Sequence, residues 1–177
     1  MPSLCTTSIQ PLNKGFSGAQ VTAIEPVEEM RLQLSRKFPD LRTLAGTAQS
    51  MPLQERSAHA VTCAQAFHWF AAADALSEIR RVLIPGGSLG IVWNVRDESV
   101  GWVAELTGIV QPYEGDAPRY RTGAWRRLFP NDLFSDPEET VWDHRHVGSP
   151  EEVIVDRRET IAFPYQTRAY RCAAAID

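Results

Sequence analysis

The feature that most constrains this chain is a run of seven residues, Ser88–Asn94 (SLGIVWN), apolar at nearly every position. A strand with one wet face alternates apolar and polar residues, whereas a near-continuous apolar strand points to a sheet covered on both faces, which is usually parallel. Parallel strands need crossover connections, and the upstream sequence supplies them. Val21–Ile24 is a short apolar run ending at Glu25 and Pro26. Val27, Met30, Leu34 and Phe38 then recur at helical spacing until Pro39-Asp40 closes the helix. Leu41–Gly46 reads as a second strand and Thr47–Ser57 as a loop in which Pro52 bars regular structure. A third strand lies near His59–Ala64. Ala72, Leu76, Ile79 and Leu83 mark a second helix, with Arg80 and Arg81 near its end, where cations suit the helix dipole. Pro85–Gly87 (PGG) predicts a tight break before the fourth strand.

Strand and helix thus alternate over Gln20–Asn94, the pattern of an α/β, Rossmann-like doubly wound sheet. Ligands of such sheets bind at the carboxyl ends of the strands, which directs attention to Glu25, Gly46–Ala48, Ala64–Trp69 and Trp93–Asp97. The back half is less regular. It predicts helices at Trp102–Val110 and Tyr120–Phe129, strands at Glu139–Val147 and Ile161–Cys172, and a helix start at Ser149–Glu152 (SPEE). Residues 1–17 read as an irregular leader. Residues 18–177 read as one domain, with a core at 18–99 and a substrate-side part at 100–177.

Composition narrows the function. The 177 residues carry a net charge of −4, which argues against a nucleic-acid partner. The one basic cluster, Arg119, Arg121, Arg126 and Arg127, reads as a solvated helix face. Three widely spaced cysteines, Cys5, Cys63 and Cys172, suggest neither a disulfide framework nor a zinc site. No stretch reads as a signal peptide or a membrane span, so a cytoplasmic protein without a membrane partner is expected. His144 and His146 share one strand face, but two imidazoles do not make a metal site.

Four segments then fall in order: VTAIEP (Val21–Pro26), LAGTAQSMPL (Leu44–Leu53), AVTCAQAFHWF (Ala60–Phe70) and EIRRVLIPGGSLGIVWN (Glu78–Asn94). Together they resemble the middle of a class I S-adenosylmethionine-dependent methyltransferase. The closer likeness is to the small-molecule, methyltransferase type 11-like subgroup with QAFHWF (Gln65–Phe70) after its fourth strand and WNxRDES (Trp93–Ser99) after its fifth. The resemblance covers about Gly18–Phe129 and implies S-adenosylmethionine as cofactor and a small molecule as substrate.

The resemblance also implies roles. Glu25 would accept hydrogen bonds from both ribose hydroxyls; otherwise it is a helix-start carboxylate serving unpaired N–H groups, a duty that Pro26 in the turn reduces. Thr47, Ala48 and Gln49 would line the adenine, or form an ordinary loop. Gln65 would face the methionine part. His68 is a candidate base, but its neighbours Phe67, Trp69 and Phe70 favour a packed histidine lining a pocket. Trp69, Trp93 and Tyr113 would wall the substrate or cage a sulfonium, core packing being the commoner use of such rings. Asn94 and Asp97 lie at the substrate side, and Asp97 has the alternative of opening a helix.

The family's glycine-rich turn, preceded by a strand and about 20 residues upstream of the acid, has no counterpart ahead of Glu25. Gly15-Phe16-Ser17-Gly18 lies too close to the next strand to serve. In the family the first strand lies mid-sheet, between those matching VTAIEP and AVTCAQ. A helical stretch that relatives carry between SPEEVIVDR and the closing strand is also missing here. These departures predict an N-terminally truncated, incomplete sheet with impaired cofactor binding. They equally suit a non-catalytic pseudo-methyltransferase acting as a binding or regulatory partner, or a homo- or hetero-oligomer whose second chain fills the missing strand.

Overall fold

A computed structural model describes residues 19–148 and 161–176. The expected leader, the Gly15–Gly18 stretch and the helix start at Ser149–Glu152 lie outside the described residues. The described chain falls into two compact units. The first holds the residues up to Val92, Pro118–Glu138 and those from Tyr170 onward; the second holds those of Trp93–Ala117 and Glu139–Ala169.

The first unit opens with β1 (Thr22–Ile24), α1 (Glu28–Lys37) and β2 (Arg42–Leu44). β1 and β2 are parallel, with Thr22 opposite Arg42 and Ile24 opposite Leu44. Glu28 and Glu29 in the first turn of α1, and Arg36 and Lys37 in its last, match the helix dipole. Leu34 faces inward to join Ala23 and Leu41 in a small core flanked by Val21 and Phe38.

β3 (Ala58–Ala64), the single turn α2 (Phe67–Phe70), α3 (Ala73–Val82) and β4 (Leu83–Arg96) follow. β3 and β4 are parallel. The apolar periodicity placed α3 well, but the break expected at Pro85–Gly87 lies inside β4. Ala58 stands opposite Leu83 and Ala60 opposite Ser88, so two steps of β3 face five of β4. The excess is thrown out as a bulge, with Gly86 at φ 74°, so the strand survives its punctuation. Gly87 fits because it has no side chain: a Cβ there would lie 3.0 Å from the Ile84 carbonyl oxygen and 3.1 Å from that of His59. Along β4, Leu89, Ile91 and Trp93 are buried while the positions between them are half-buried. One face is therefore fully covered and the other partly.

β5 (Glu138–Gly148) and β6 (Ile161–Ala173) complete a four-stranded sheet of order β3-β4-β6-β5, separate from the β1-β2 pair. Among the described residues the division falls between β1 and β3, where the resemblance puts a further strand. Tyr120–Phe129 is not the expected α-helix. It forms two short 3₁₀ turns, Tyr120–Thr122 and Ala124–Leu128, because Gly123 between them adopts φ 65°. The second turn buries Trp125 against Phe67 and Tyr170. The basic cluster is accordingly not a plain solvated helix face: Arg126 lies over the rings of Trp125 and Tyr170, 5.2 Å and 4.7 Å from their centroids.

In the second unit, α4 (Gly101–Val110) runs into a 3₁₀ turn at Gln111–Tyr113. Val103 is buried on α4, and the Trp102 ring meets Phe163 edge-on at 5.0 Å. Among the described residues no helix is long and apolar enough to cross a membrane, and no group of three metal-ligating side chains gathers.

Two glycines test this packing. A Cβ on Gly46 would sit 2.7 Å from Pro52 Cδ and 3.0 Å from both Ile24 Cγ2 and the Ser50 carbonyl oxygen, whereas one on Gly108 of α4 meets nothing within 4 Å. In urea denaturation Gly46→Ala is expected to lose about 1–3 kcal/mol, and Gly108→Ala to gain about 0.5–1 kcal/mol from helix propensity.

Candidate functional site

The site begins at the carboxyl ends of β1 and β2. The Glu25 N–H donates to the Leu44 carbonyl at 3.1 Å, extending the parallel pairing one residue beyond β1. Its carboxylate is wholly buried (0% exposed). Oε1 accepts the Val27 N–H at 2.9 Å, and Oε2 has no hydrogen-bond partner among the described residues. Both roles weighed for Glu25 are thus available at once, one oxygen to each. Burial raises its pKa above the ordinary carboxylate value, against the opposing pull of the Val27 N–H and the Arg31 guanidinium. The half-buried Pro26 presents its carbonyl to Arg31 Nη1 at 2.7 Å, and that nitrogen also donates to the Glu25 carbonyl at 2.9 Å.

Beside Glu25 the chain leaves β2 and turns tightly. Thr47 and Ser50 exchange backbone hydrogen bonds of 3.1 and 3.2 Å. Ala48 is buried in this turn while Thr47 and Gln49 are exposed. Gly46, which leads into it, packs on Ile24, the residue before Glu25. Glu25, Pro26 and Thr47–Gln49 are therefore brought to one end of the parallel pair. A buried carboxylate oxygen lacking a donor costs about 1–3 kcal/mol or more. With Oε1 serving the Val27 N–H, Oε2 is left to accept from a vicinal diol, whose hydroxyls are donors.

Gln65 is the first residue past β3. Its N–H donates to the Val92 carbonyl at 2.8 Å, and its φ of 55° is left-handed. A non-glycine residue held there stores strain, which tends to occur at functional positions. Ala66 and Phe67 are buried next to it. His68 is half-buried, with its ring 5.1 Å from that of Trp69, which is 39% exposed. Burial first, and then the charge of Arg119, lower the pKa of His68, so the imidazole is neutral near pH 7.

In the second unit Trp93 is buried, whereas Tyr113 is 86% exposed at the end of the 3₁₀ turn. Asn94 Oδ1 accepts the Thr167 hydroxyl at 2.8 Å, and that hydroxyl lies 3.2 Å from His144 Nδ1. His144 also stacks on Tyr165. Asp97 Oδ1 accepts both the N–H and the hydroxyl of Ser99, at 3.2 and 2.6 Å, and its carbonyl takes the Val100 N–H. This is the geometry of a turn leading into α4, the alternative weighed for Asp97.

Residues 6–91 match the family model of a methyltransferase domain. An uncharacterized methyltransferase-like protein of Schizosaccharomyces pombe is 43% identical over 115 residues, covering 65% of this chain and 45% of that protein. A crystal structure of a Bacillus halodurans protein assigned as a methyltransferase aligns with a TM-score of 0.57 at 18% identity, over 88% of this chain and 83% of that one. The structure of a geranyl diphosphate methyltransferase in complex with S-adenosylmethionine aligns at 0.51 and 17% identity, over 92% and 72%. The chain is thus similar in sequence to methyltransferases over about half of its length. Its fold is that of the class I methyltransferases, and it spans about half the length of the curated relatives it matches.

Within this methyltransferase fold, sequence reasoning missed three features. Arg119 bears on His68. Thr167 and His144 join Asn94 across strands remote in sequence. Glu78 and Arg81 of α3 grip the loop after β2. Their three-residue spacing was visible, but such pairs are ordinary on helix surfaces.

Two outcomes follow from the buried groups. Glu25→Gln removes a buried charge, so its melting midpoint at pH 7 is expected to match or exceed that of the wild type in calorimetry, although the deleted group is wholly buried. For His68, a pKa lowered by folding means that the unfolded chain binds the proton more readily, so stability falls as pH drops below 6.5. His68→Gln is expected to flatten that slope in denaturation measured across the acid range.

Proposed function

We propose that this chain is a methyltransferase-like protein that binds S-adenosylmethionine and directs methyl transfer to a small-molecule acceptor. The observation that carries this reading is the buried Glu25 carboxylate, with one oxygen left without a donor among the described residues, at the end of the parallel pair where the Thr47–Ser50 turn follows β2. When bound, the cofactor supplies an electrophilic methyl group on a sulfonium. On this reading Glu25 accepts the ribose hydroxyls, Thr47, Ala48 and Gln49 flank the adenine, and Gln65 holds the methionine end. Displacement of this kind depends chiefly on alignment, so the pinned positions of Glu25 and Gln65 matter more than an acid or base. Where the acceptor sheds a proton, we assign its removal to His68. Trp69, Trp93, Asn94, Asp97 and Tyr113 are assigned to the acceptor side.

The 177 residues tested alone supply more to the adenosine half than to the methionine half, so we propose weak binding. Ligand-observed titration of the purified chain is expected to give a dissociation constant for S-adenosylmethionine weaker than about 100 µM, and no binding by Glu25→Gln. Micromolar affinity would overturn the proposed weakness; equal binding by Glu25→Gln would overturn the ribose role.

The second reading is a non-catalytic member acting through a partner. It draws on the one-sided pairing of β1 with β2 and of β3 with β4 among the described residues, since an open strand edge is a template for another chain. The same titration separates the readings. Binding that emerges only after mixing with a longer family member favours the partner.

A further inference from the structure

The loop after β2 is held by two charged side chains of α3. Arg81 Nε donates to Glu78 Oε2 at 2.7 Å, and Arg81 Nη2 donates to Glu78 Oε1 at 2.7 Å. This two-pronged pair does not stop at itself. Glu78 Oε1 also accepts the Met51 N–H at 2.7 Å, and Arg81 Nη2 donates to the Met51 carbonyl at 3.1 Å. Arg81 Nη1 reaches the Leu53 carbonyl at 2.9 Å. Both backbone groups of Met51 are therefore met by the ion pair, much as a neighbouring strand would meet them. The Arg81 hydrogen bond, outweighing the cost of burial, lowers the Glu78 pKa and keeps the carboxylate charged.

Met51 is buried, and it directly follows Ser50, which closes the Thr47–Ser50 turn. That turn lies at the same end of the β1–β2 pair as Glu25, whose N–H pairs with Leu44, and Gly46 packs on the neighbouring Ile24. An anchor one residue from the turn fixes its backbone without touching anything bound there. We propose that Glu78 and Arg81 are positioning residues that hold the ligand-facing turn in its binding geometry and so set the affinity for the adenosine part of the cofactor. The ligand half of this proposal rests on the reading of Glu25 given above.

The guanidinium fork is essential to this role. Lysine carries its three donors on one nitrogen, so it cannot reproduce the four bonds that Arg81 spreads over Nε, Nη1 and Nη2. Arg81→Ala and Arg81→Lys are both expected to speed amide exchange at Ser50 and Met51 by about tenfold, the effect of losing one charge-assisted hydrogen bond. Exchange at Cys63 and Ile91 in the β3–β4 ladder stays at the wild-type rate. Adenosine and S-adenosylmethionine are each expected to bind these variants roughly fivefold to tenfold more weakly, measured well below every variant's melting midpoint. Glu78→Gln, which keeps the shape and removes the charge, serves as the milder variant and is expected to show the same changes in smaller measure.

Unchanged exchange at Met51 in the arginine variants would overturn the clamp. Faster exchange with wild-type affinity for adenosine would show a merely structural anchor and overturn the proposal. A wild-type chain that binds neither adenosine nor S-adenosylmethionine would overturn the Glu25 reading and this proposal together, an outcome distinct from the other two.

Discussion

Parallel strand pairing is the constraint on which the site depends. Because β1 and β2 run the same way, and β3 and β4 do likewise, the residues just past their carboxyl ends share one end of each pair. Each pair is prolonged by a single hydrogen bond. The Glu25 N–H reaches Leu44, and the Gln65 N–H reaches Val92. The two residues assigned to the cofactor therefore have their backbones held by the ladder at the strand ends. This is the physical content of the rule that α/β sheets bind ligands at their carboxyl ends.

That placement runs against stability at both positions. Glu25 is a buried carboxylate with an unserved oxygen, and Gln65 holds a left-handed backbone that glycine would adopt more easily. Left-handed and other sparsely populated conformations cost of order 1–3 kcal/mol each. The Val27 N–H uses only one oxygen of Glu25 and leaves Oε2 without a donor among the described residues. A glutamine at position 25 would keep an acceptor for the Val27 N–H without burying a charge. These two costs fall on the residues that the proposed function assigns to the ribose and the methionine chain.

Much of the framework was legible in the sequence. The apolar spacing of Val27–Phe38 and Ala72–Leu83 marked α1 and α3, and the Glu25-Pro26 pair marked the end of β1. What was not legible shares a physical reason. Proline and glycine at 85–87 usually interrupt a strand, but here the partner strand β3 carries the ladder past them and the excess chain bulges outward. The left-handed Gly123 divides what helical spacing would join. Gln65 gives no local sign of positive φ, because its conformation is imposed by the ladder on one side and buried Ala66 and Phe67 on the other. Asn94, Thr167 and His144 meet only because β6 lies beside both β4 and β5. Contacts made by topology leave no trace in local pattern.

The short sheet raises a last question of how it stays ordered. β1 and β2 are three residues each, and a two-stranded sheet of that size is marginal by itself. Among the described residues it shares no ladder with the larger sheet. Its small core of Ala23, Leu34 and Leu41 secures it to α1. The chain that leaves β2 supplies further anchorage: Met51 and Leu53 are gripped by the Glu78–Arg81 pair, and the Arg56 and Ser57 N–H groups donate to the carbonyls of Arg81 and Val82 at the end of α3. Val82 leads directly into β4, whose pairing with β3 holds Gln65. Glu25 and Gln65 lie on separate sheets, and α3 is the element through which hydrogen bonds connect the loop beside one to the ladder beneath the other. An ion pair on a helix surface is ordinarily worth little. Here its partners are backbone groups of the loop that must stay in place, so its value lies in geometry rather than in charge.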